Sequence, residues 1–218
     1  MKLNILFSFL VFTLYSFGSF AGVNATAMKG KIYKFAVSTS EFCTSPVTVY
    51  SNDNATYGDA FSQAALFQQH LDDGTYKCLM IEMSDNIKIT PAANDGTGCV
   101  AGTESTHDFC RSSTQSYQLI DGTKGTCANG VKDERVAIYF STISTTTDPD
   151  NQANPSVAFN PPASASDAGS KGLKLGSALV VSSTTTSTFV MDTTGRLASA
   201  TDPVIGNYCR AIPLMSFK

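Results

Sequence analysis

The chain has 218 residues, only 15% of which are charged, and a formal net charge of −3 at pH 7. Its basic residues form no stripe that would neutralise a phosphate backbone, so nucleic acid is not an expected partner. Tryptophan is absent, which weighs against a carbohydrate-binding platform built on indole rings.

The N-terminus predicts export. Lys2 precedes a short apolar run over residues 5–15, and Ser19, Phe20 and Ala21 form a small-x-small cleavage site. We therefore predict a signal peptide at 1–21, with cleavage as late as residue 27 as the alternative. The apolar run is shorter than the ~20 residues that span a bilayer, so no transmembrane segment is expected after cleavage. The mature chain is predicted to be secreted or at the cell surface, or periplasmic in a Gram-negative host; the short, singly charged signal favours a bacterial origin.

Short strands are predicted along most of the chain, because apolar and polar residues alternate in runs separated by Gly, Asn, Asp and Pro. In chain order the runs are 31–37, 47–50, 76–83, 87–89, 117–120, 135–143, 157–159, 173–175, 178–182, 188–192 and 211–217. This pattern predicts a mainly β fold: an antiparallel, Greek-key-like β-sandwich formed by residues 28–218 as one domain, with an open barrel as the alternative.

The run over residues 76–83 is apolar on both faces. Leu79 and Ile81 share one face, whereas Tyr76, Cys78 and Met80 share the other. Apolar side chains on both faces predict a strand that is covered on both sides.

One segment has helical periodicity instead. Its apolar residues are Ala60, Ala64, Phe67 and Leu71. They recur at steps of three and four, and Asp59 and Gly74 suit the two ends of a helix. A short helix is predicted here, with an irregular crossover loop as the alternative.

Six cysteines follow the predicted signal peptide: Cys43, Cys78, Cys99, Cys110, Cys127 and Cys209. An even number in an exported chain predicts three disulfides. The close Cys pairs of a zinc site do not occur, so no metal is expected. Six cysteines allow 15 pairings; we favour Cys43 with Cys78, because both lie at the edges of neighbouring apolar runs. The other four would then staple a loop-rich excursion at about 95–130 and the C-terminal strand.

A long polar loop is predicted at 145–168, and loops of this length are often functional. Within it, Asp148, Asp150 and Gln152 begin like a calcium loop, but the turn glycine and the terminal glutamate of such a loop are missing. The segment 52–54 with Asp59 is similarly incomplete. We interpret both as solvated turns.

Motifs that would identify an enzyme are missing from the sequence, so no catalytic residue and no cofactor are predicted. Of the two histidines, His70 is interpreted as a residue at the end of the predicted helix. Glu104, His107 and Asp108 would suit a metal or an acid–base group, as in a secreted hydrolase, but a polar surface turn has the same composition and is the interpretation we favour.

The leading functional hypothesis is therefore a non-catalytic cell-surface or extracellular protein, structural, adhesive or a fibre subunit. Its expected partner is itself, through pairing of strands, or a surface ligand. The N-terminal residues Val23, Ala25 and Ala27 alternate and would suit a strand added to a neighbour. The alternative hypothesis is a secreted module that binds a glycan, peptide or small molecule through Arg111, Tyr117 and Tyr208, and these form its predicted ligand site.

Overall fold

The computed structural model describes residues 22–59, 71–182 and 189–218. Over this part of the chain the fold is mainly β, with 46% strand and 3% helix, as predicted. The strands are β1 (Ala25–Gly30), β2 (Ile32–Ser38), β3 (Val47–Ser51), β4 (Gly58–Asp59), β5 (Gly74–Tyr76), β6 (Cys78–Ser84), β7 (Asn86–Pro91), β8 (Ser105–Asp108), β9 (Ser116–Gln118), β10 (Lys124–Thr126), β11 (Arg135–Ser141), β12 (Leu173–Lys174), β13 (Leu179–Val181), β14 (Phe189–Asp192), β15 (Leu197–Asp202), β16 (Gly206–Ala211) and β17 (Leu214–Phe217).

Two main sheets organise the fold. One has five strands in the order β12-β11-β6-β2-β3, and the other has four in the order β4-β1-β7-β8. Every pair within them is antiparallel except β11 with β12. Four two-stranded ribbons, β5–β13, β9–β10, β14–β17 and β15–β16, surround the main sheets.

The two main sheets share one apolar core. Phe35, Ile81 and Ile138 of the five-stranded sheet belong to the same buried cluster as Met28 and Ile89 of the four-stranded sheet. The core-facing residues of β6 and β11 recur at every second position, as the pleat of a strand requires. Sheet-on-sheet burial of this kind is the architecture of the predicted β-sandwich.

The five-stranded sheet is covered on its second face as well. Cys78, Met80 and Tyr139 form a smaller buried cluster, against which Leu119 and Ile120 pack. This confirms the prediction that residues 78–83 are covered on both sides. The prediction was wrong for Tyr76, because β5 pairs with β13 and its Tyr76 joins the main core instead.

All six cysteines form disulfides: Cys43–Cys78, Cys99–Cys209 and Cys110–Cys127. The predicted Cys43–Cys78 pair is confirmed. It ties the loop between β2 and β3 to the start of β6. The other two bridges anchor the predicted Cys-rich excursion, one to β16 and one within the excursion itself.

Three further sequence predictions differ from the structure. The hairpin of β15 and β16 was missed, because Leu197–Asp202 is rich in small residues and lacks a strong alternation. Val157–Phe159 is a buried 3₁₀ turn rather than a strand. The N-terminal segment does not remain available to a neighbour, because β1 pairs with β7 of the same chain.

The predicted signal peptide at 1–21 lies outside the described residues, and so do residues 60–70 of the predicted helix, including His70. Asp59 and Gly74, which were expected to flank that helix, lie in strands β4 and β5. The helices that the structure describes are single 3₁₀ turns, none with the length or apolar character of a bilayer span.

Candidate functional site

A network of buried charges is centred on Arg111, which follows the Cys110–Cys127 bridge. Its Nε and Nη2 atoms donate to Oδ2 of Asp202 at 2.9 and 2.8 Å, and Nη2 also donates to Oδ1 of Asp150 at 2.8 Å. The planar guanidinium can engage two carboxylates at once because its donors are fixed in a fork. All three side chains are at least 94% buried, so this cation is held between two anions inside the protein.

Three distant segments build this network. Asp202 ends β15, Asp150 belongs to the long loop after β11, and Arg111 follows β8. Gln115 fixes the backbone around Arg111: its Oε1 accepts the N–H of Arg111 at 2.9 Å, and its Nε2 donates to the carbonyls of Phe109 and Pro155. The long polar loop is therefore fastened to the Cys-rich excursion.

His107 and Tyr208 complete the network on the side of Asp150. The His107 ring is fully buried, with its centroid 4.3 Å from that of Phe109 and 4.7 Å from that of Tyr208. Its Nε2 lies 3.4 Å from Oδ2 of Asp150 without the alignment of a hydrogen bond, whereas the Tyr208 hydroxyl donates to the same oxygen.

The pKa directions agree with this arrangement. Burial lowers the pKa of His107, and the nearby carboxylate of Asp150 only partly opposes this effect. Burial by itself would raise the pKa of Asp150, but contacts with His107, Tyr208 and Arg111 hold it below its usual range. Burial also disfavours the charged form of Arg111, yet its bonds to Asp202 and Asp150 keep its pKa above normal.

The three residues of the predicted ligand site do not lie together in the structure. Arg111 and Tyr208 do lie together, with the guanidinium carbon 5.4 Å from the ring centroid, but both are buried among internal partners and do not face an open loop surface. Tyr117 lies elsewhere, on β9, where its ring covers Gly125 of β10. Burial of an arginine cannot be read from its sequence neighbours, which is why the sequence suggested an exposed site.

The Glu104–His107–Asp108 hypotheses are corrected too. His107 is a core residue of β8, not part of a surface turn, because strand alternation turns it inward. Glu104 lies at the surface and pairs with Lys29 and Lys88. Asp108 is buried and accepts backbone N–H groups. The three side chains therefore form no shared acid–base group.

The loop over 148–152 is neither a calcium loop nor a solvated turn. The carboxylate of Asp150 forms an ion pair with Arg111, and Oδ2 of Asp148 lies 3.2 Å from Nη1 of Arg210. At 52–54, by contrast, Asn52 closes a local turn and Asp53 pairs with Arg135 at the surface, in agreement with a solvated turn.

No protein-family model, curated protein or solved structure matches this chain. The assignment of a function therefore depends on the chemistry of the chain's own surfaces.

One surface feature is the outer edge of β3. This strand ends the five-stranded sheet, and with five residues it is the longest edge strand that the described residues form in the two main sheets. Within the described ranges, no strand pairs with its outer side. Val47 is 45% exposed at this edge, and no charged residue or proline interrupts Val47–Ser51. Such an edge offers backbone groups to a further strand.

Recesses among the described residues are a further surface feature to consider. An apolar cavity of about 70 Å³ lies between the main sheets, near Met28, Ile81 and Phe140. It has roughly half the volume of an engineered cavity that holds benzene, so it is a packing gap and too small for most ligands. A surface groove of about 530 Å³ is lined by Lys174, Arg196 and other residues near the C-terminus.

Proposed function

We propose that the protein is an exported, non-catalytic contact protein of the cell surface or extracellular space, structural or adhesive, whose copies associate through the edge of β3. The observation that carries this proposal is the open, uncharged edge strand on a disulfide-clamped sheet. Addition of a strand to such an edge gains main-chain hydrogen bonds and is a common mode of assembly.

The rigidity of the edge supports this role. The Cys43–Cys78 bridge ties the connection between β2 and β3 to the neighbouring strand β6, and Cys43 itself has a φ of 58°, which a residue with a side chain adopts only when its surroundings hold it there. A strand that is already fixed in an extended form loses little further conformational entropy when a partner pairs with it.

The burial of the charged groups around Arg111 also supports a role in contact with other molecules over a role in catalysis. The carboxylates of Asp150 and Asp202 are buried and bonded to the guanidinium of Arg111, and His107 is buried beside them. A catalytic group has to reach its substrate, and these groups do not. Extracellular location is supported by the three disulfides, since that compartment keeps such bonds oxidised.

The test is the self-association of the purified, oxidised protein. We expect its apparent mass in light scattering to rise with concentration, and Val47→Lys to abolish this rise because a charge on an edge strand opposes pairing. Val204→Lys is the matched control: Val204 is 53% exposed but lies outside any strand, so this variant should associate like the unmodified protein.

A strictly monomeric protein at every concentration would refute self-association. Equal association of the Val47→Lys variant would remove β3 as the contact. Electron microscopy of the same samples distinguishes fibres from closed oligomers, because only an open head-to-tail contact grows without limit.

The alternative, a ligand-binding module, is favoured by the groove of about 530 Å³. Its volume lies within the range of ligand sites, about 300–1,000 Å³, and Lys174, Arg196 and Lys218 line it together with Asp192. These residue types suit an anionic glycan better than an apolar molecule.

A thermal-shift comparison of a sulfated and a neutral oligosaccharide tests this second function. Saturable stabilisation by the sulfated compound alone, lost in Arg196→Ala, would support it. The absence of any shift, or an equal shift with Arg196→Ala, would count against it.

A further inference from the structure

Asp85 occupies the corner where the chain passes from one main sheet to the other, between β6 and β7. Its backbone N–H donates to the carbonyl of Glu134 at 2.9 Å, and its carbonyl accepts the N–H of Phe109 at 3.1 Å. The start of β11 and the end of β8 are thereby fastened to the same residue. We call this region the Asp85 corner.

The Asp85 side chain is completely buried. Its Oδ1 accepts the backbone N–H of Glu134 at 2.8 Å, but its Oδ2 has no hydrogen-bond partner among the described residues. A second buried oxygen, Oδ1 of the adjacent Asn86, is likewise without a donor there. Two neighbouring buried oxygens without a donor are costly unless another group satisfies them.

Other acidic groups lie close to Asp85. A carboxylate oxygen of Glu134 lies within 4.8 Å of one from Asp85, and Asp108 is directly opposite Asn86 in the pairing of β7 with β8. The sulfur of Cys110 lies equally close, but it is bonded to Cys127 and is therefore not a thiolate ligand. The donor set is thus made of hard oxygen atoms.

Two basic side chains of the adjoining segments are engaged elsewhere. The guanidinium of Arg111 is bonded to Asp150 and Asp202, and the ammonium of Lys31 pairs with Asp133. The Asp85 carboxyl group therefore lies beside further acidic groups, an environment that a cation would relieve.

We propose that the Asp85 corner binds a calcium ion, with carboxylate oxygens of Asp85 and Glu134 as direct ligands. Calcium takes six to eight oxygen ligands at about 2.3–2.6 Å, so two oxygens bound to the same ion lie no more than about 5 Å apart. The carboxylate oxygens of Asp85 and Glu134 lie within this limit. Glu134 is partly exposed, so the ion and its remaining water ligands would enter from its side. Its Oε2 atom also accepts the backbone N–H of Ala128 at 2.7 Å. Magnesium is a poorer fit because it requires shorter, octahedral coordination and gives up its water reluctantly.

Extracellular calcium modules bind with dissociation constants of about 10⁻⁴–10⁻³ M, and this is the range we expect here. The experiment uses the full oxidised protein, freed of divalent ions with a chelator, and titrates it with calcium chloride in a calorimeter. We expect one saturable site per chain. At a roughly hundredfold excess of calcium over the dissociation constant, the melting temperature should rise by roughly 5–10 °C.

Asp85→Asn and Glu134→Gln keep the shape of each side chain but remove its charge, and both should lose the heat of binding and the thermal shift. Glu104→Gln is the matched control, because Glu104 is an exposed acidic residue paired with Lys29 and Lys88 and should leave both readouts unchanged. If Asp85→Asn does not fold, Glu134→Gln decides the question alone.

The absence of saturable binding to the unmodified protein would overturn the proposal. Equal binding by both variants, or an equal effect of magnesium chloride, would overturn it as well, because either result would indicate general screening of surface charge. None of these outcomes affects the β3 contact, which is tested by self-association.

Discussion

Replacing Arg111 with methionine is expected to lower the free energy of unfolding by about 3–5 kcal/mol, because the carboxylates of Asp150 and Asp202 would stay buried without their shared cation. In a protein of this size the melting temperature should fall by roughly 6–20 °C. Urea unfolding followed by circular dichroism measures the change directly.

Arg210→Met is the matched control. Arg210 pairs with Asp148, which belongs to the same loop as Asp150. This pair is partly exposed, with side-chain exposures of 19% and 27%. Solvent screening limits such a pair to about 1 kcal/mol or less. Similar losses in the two variants would show that the buried network around Arg111 does not stabilise the fold as its geometry implies.

The pH dependence of the Arg111 effect follows from the lowered pKa values of Asp150 and Asp202. A carboxyl group whose folded pKa is depressed contributes stability above its unfolded pKa of about 3.9, and this contribution is lost as the pH falls through the folded value. The difference between the unmodified protein and Arg111→Met should therefore be large at pH 7 and shrink below about pH 4.

Removing the Cys99–Cys209 bridge, by replacing both cysteines with alanine, is the second change with a large expected effect. The bridge closes a loop of 110 residues, and the chain-entropy model gives about 5 kcal/mol for a loop of this length. Both cysteines are completely buried, so the lost sulfur atoms also leave a small cavity. Urea unfolding under oxidising conditions measures the loss.

The Cys110–Cys127 bridge provides the comparison, because it spans only 17 residues and the same model gives about 3 kcal/mol. The Cys99/Cys209 double variant should therefore be the less stable of the two by roughly 1–2 kcal/mol. The reverse order would mean that local packing, and not restriction of the unfolded chain, sets the contribution of these bridges.

Glu104 and His107 differ in burial, and the sequence did not predict this difference. Both belong to a short polar segment that suggests a surface turn. In the structure Glu104 is at the surface, whereas His107 is completely buried between Phe109 and Tyr208. Tyr208 belongs to a strand about a hundred residues away in the chain, and no local sequence pattern predicts its contact with His107.

Asp85, Asp150 and Asp202 were also missed, and for a related reason. Aspartate beside serine, asparagine or proline is the usual composition of a turn, and turns are usually solvated. Whether such a residue is buried depends on the segments that fold over it. For Asp150 these segments carry Arg111 and Tyr208, and for Asp85 they carry Glu134 and Asp108.

Local chemistry by itself determined the mainly β fold, the two-sided burial of residues 78–83 and the joining of cysteines in pairs, and it favoured Cys43 with Cys78 among the 15 possible pairings. Alternation along a strand and the parity of cysteines are properties of the chain that hold whatever packs around it. Only the tertiary structure decided which charges are internal, which strand forms an open edge and where acidic groups converge. Burial and charge pairing are set by contacts between residues far apart in the chain, and their free energies depend on that environment.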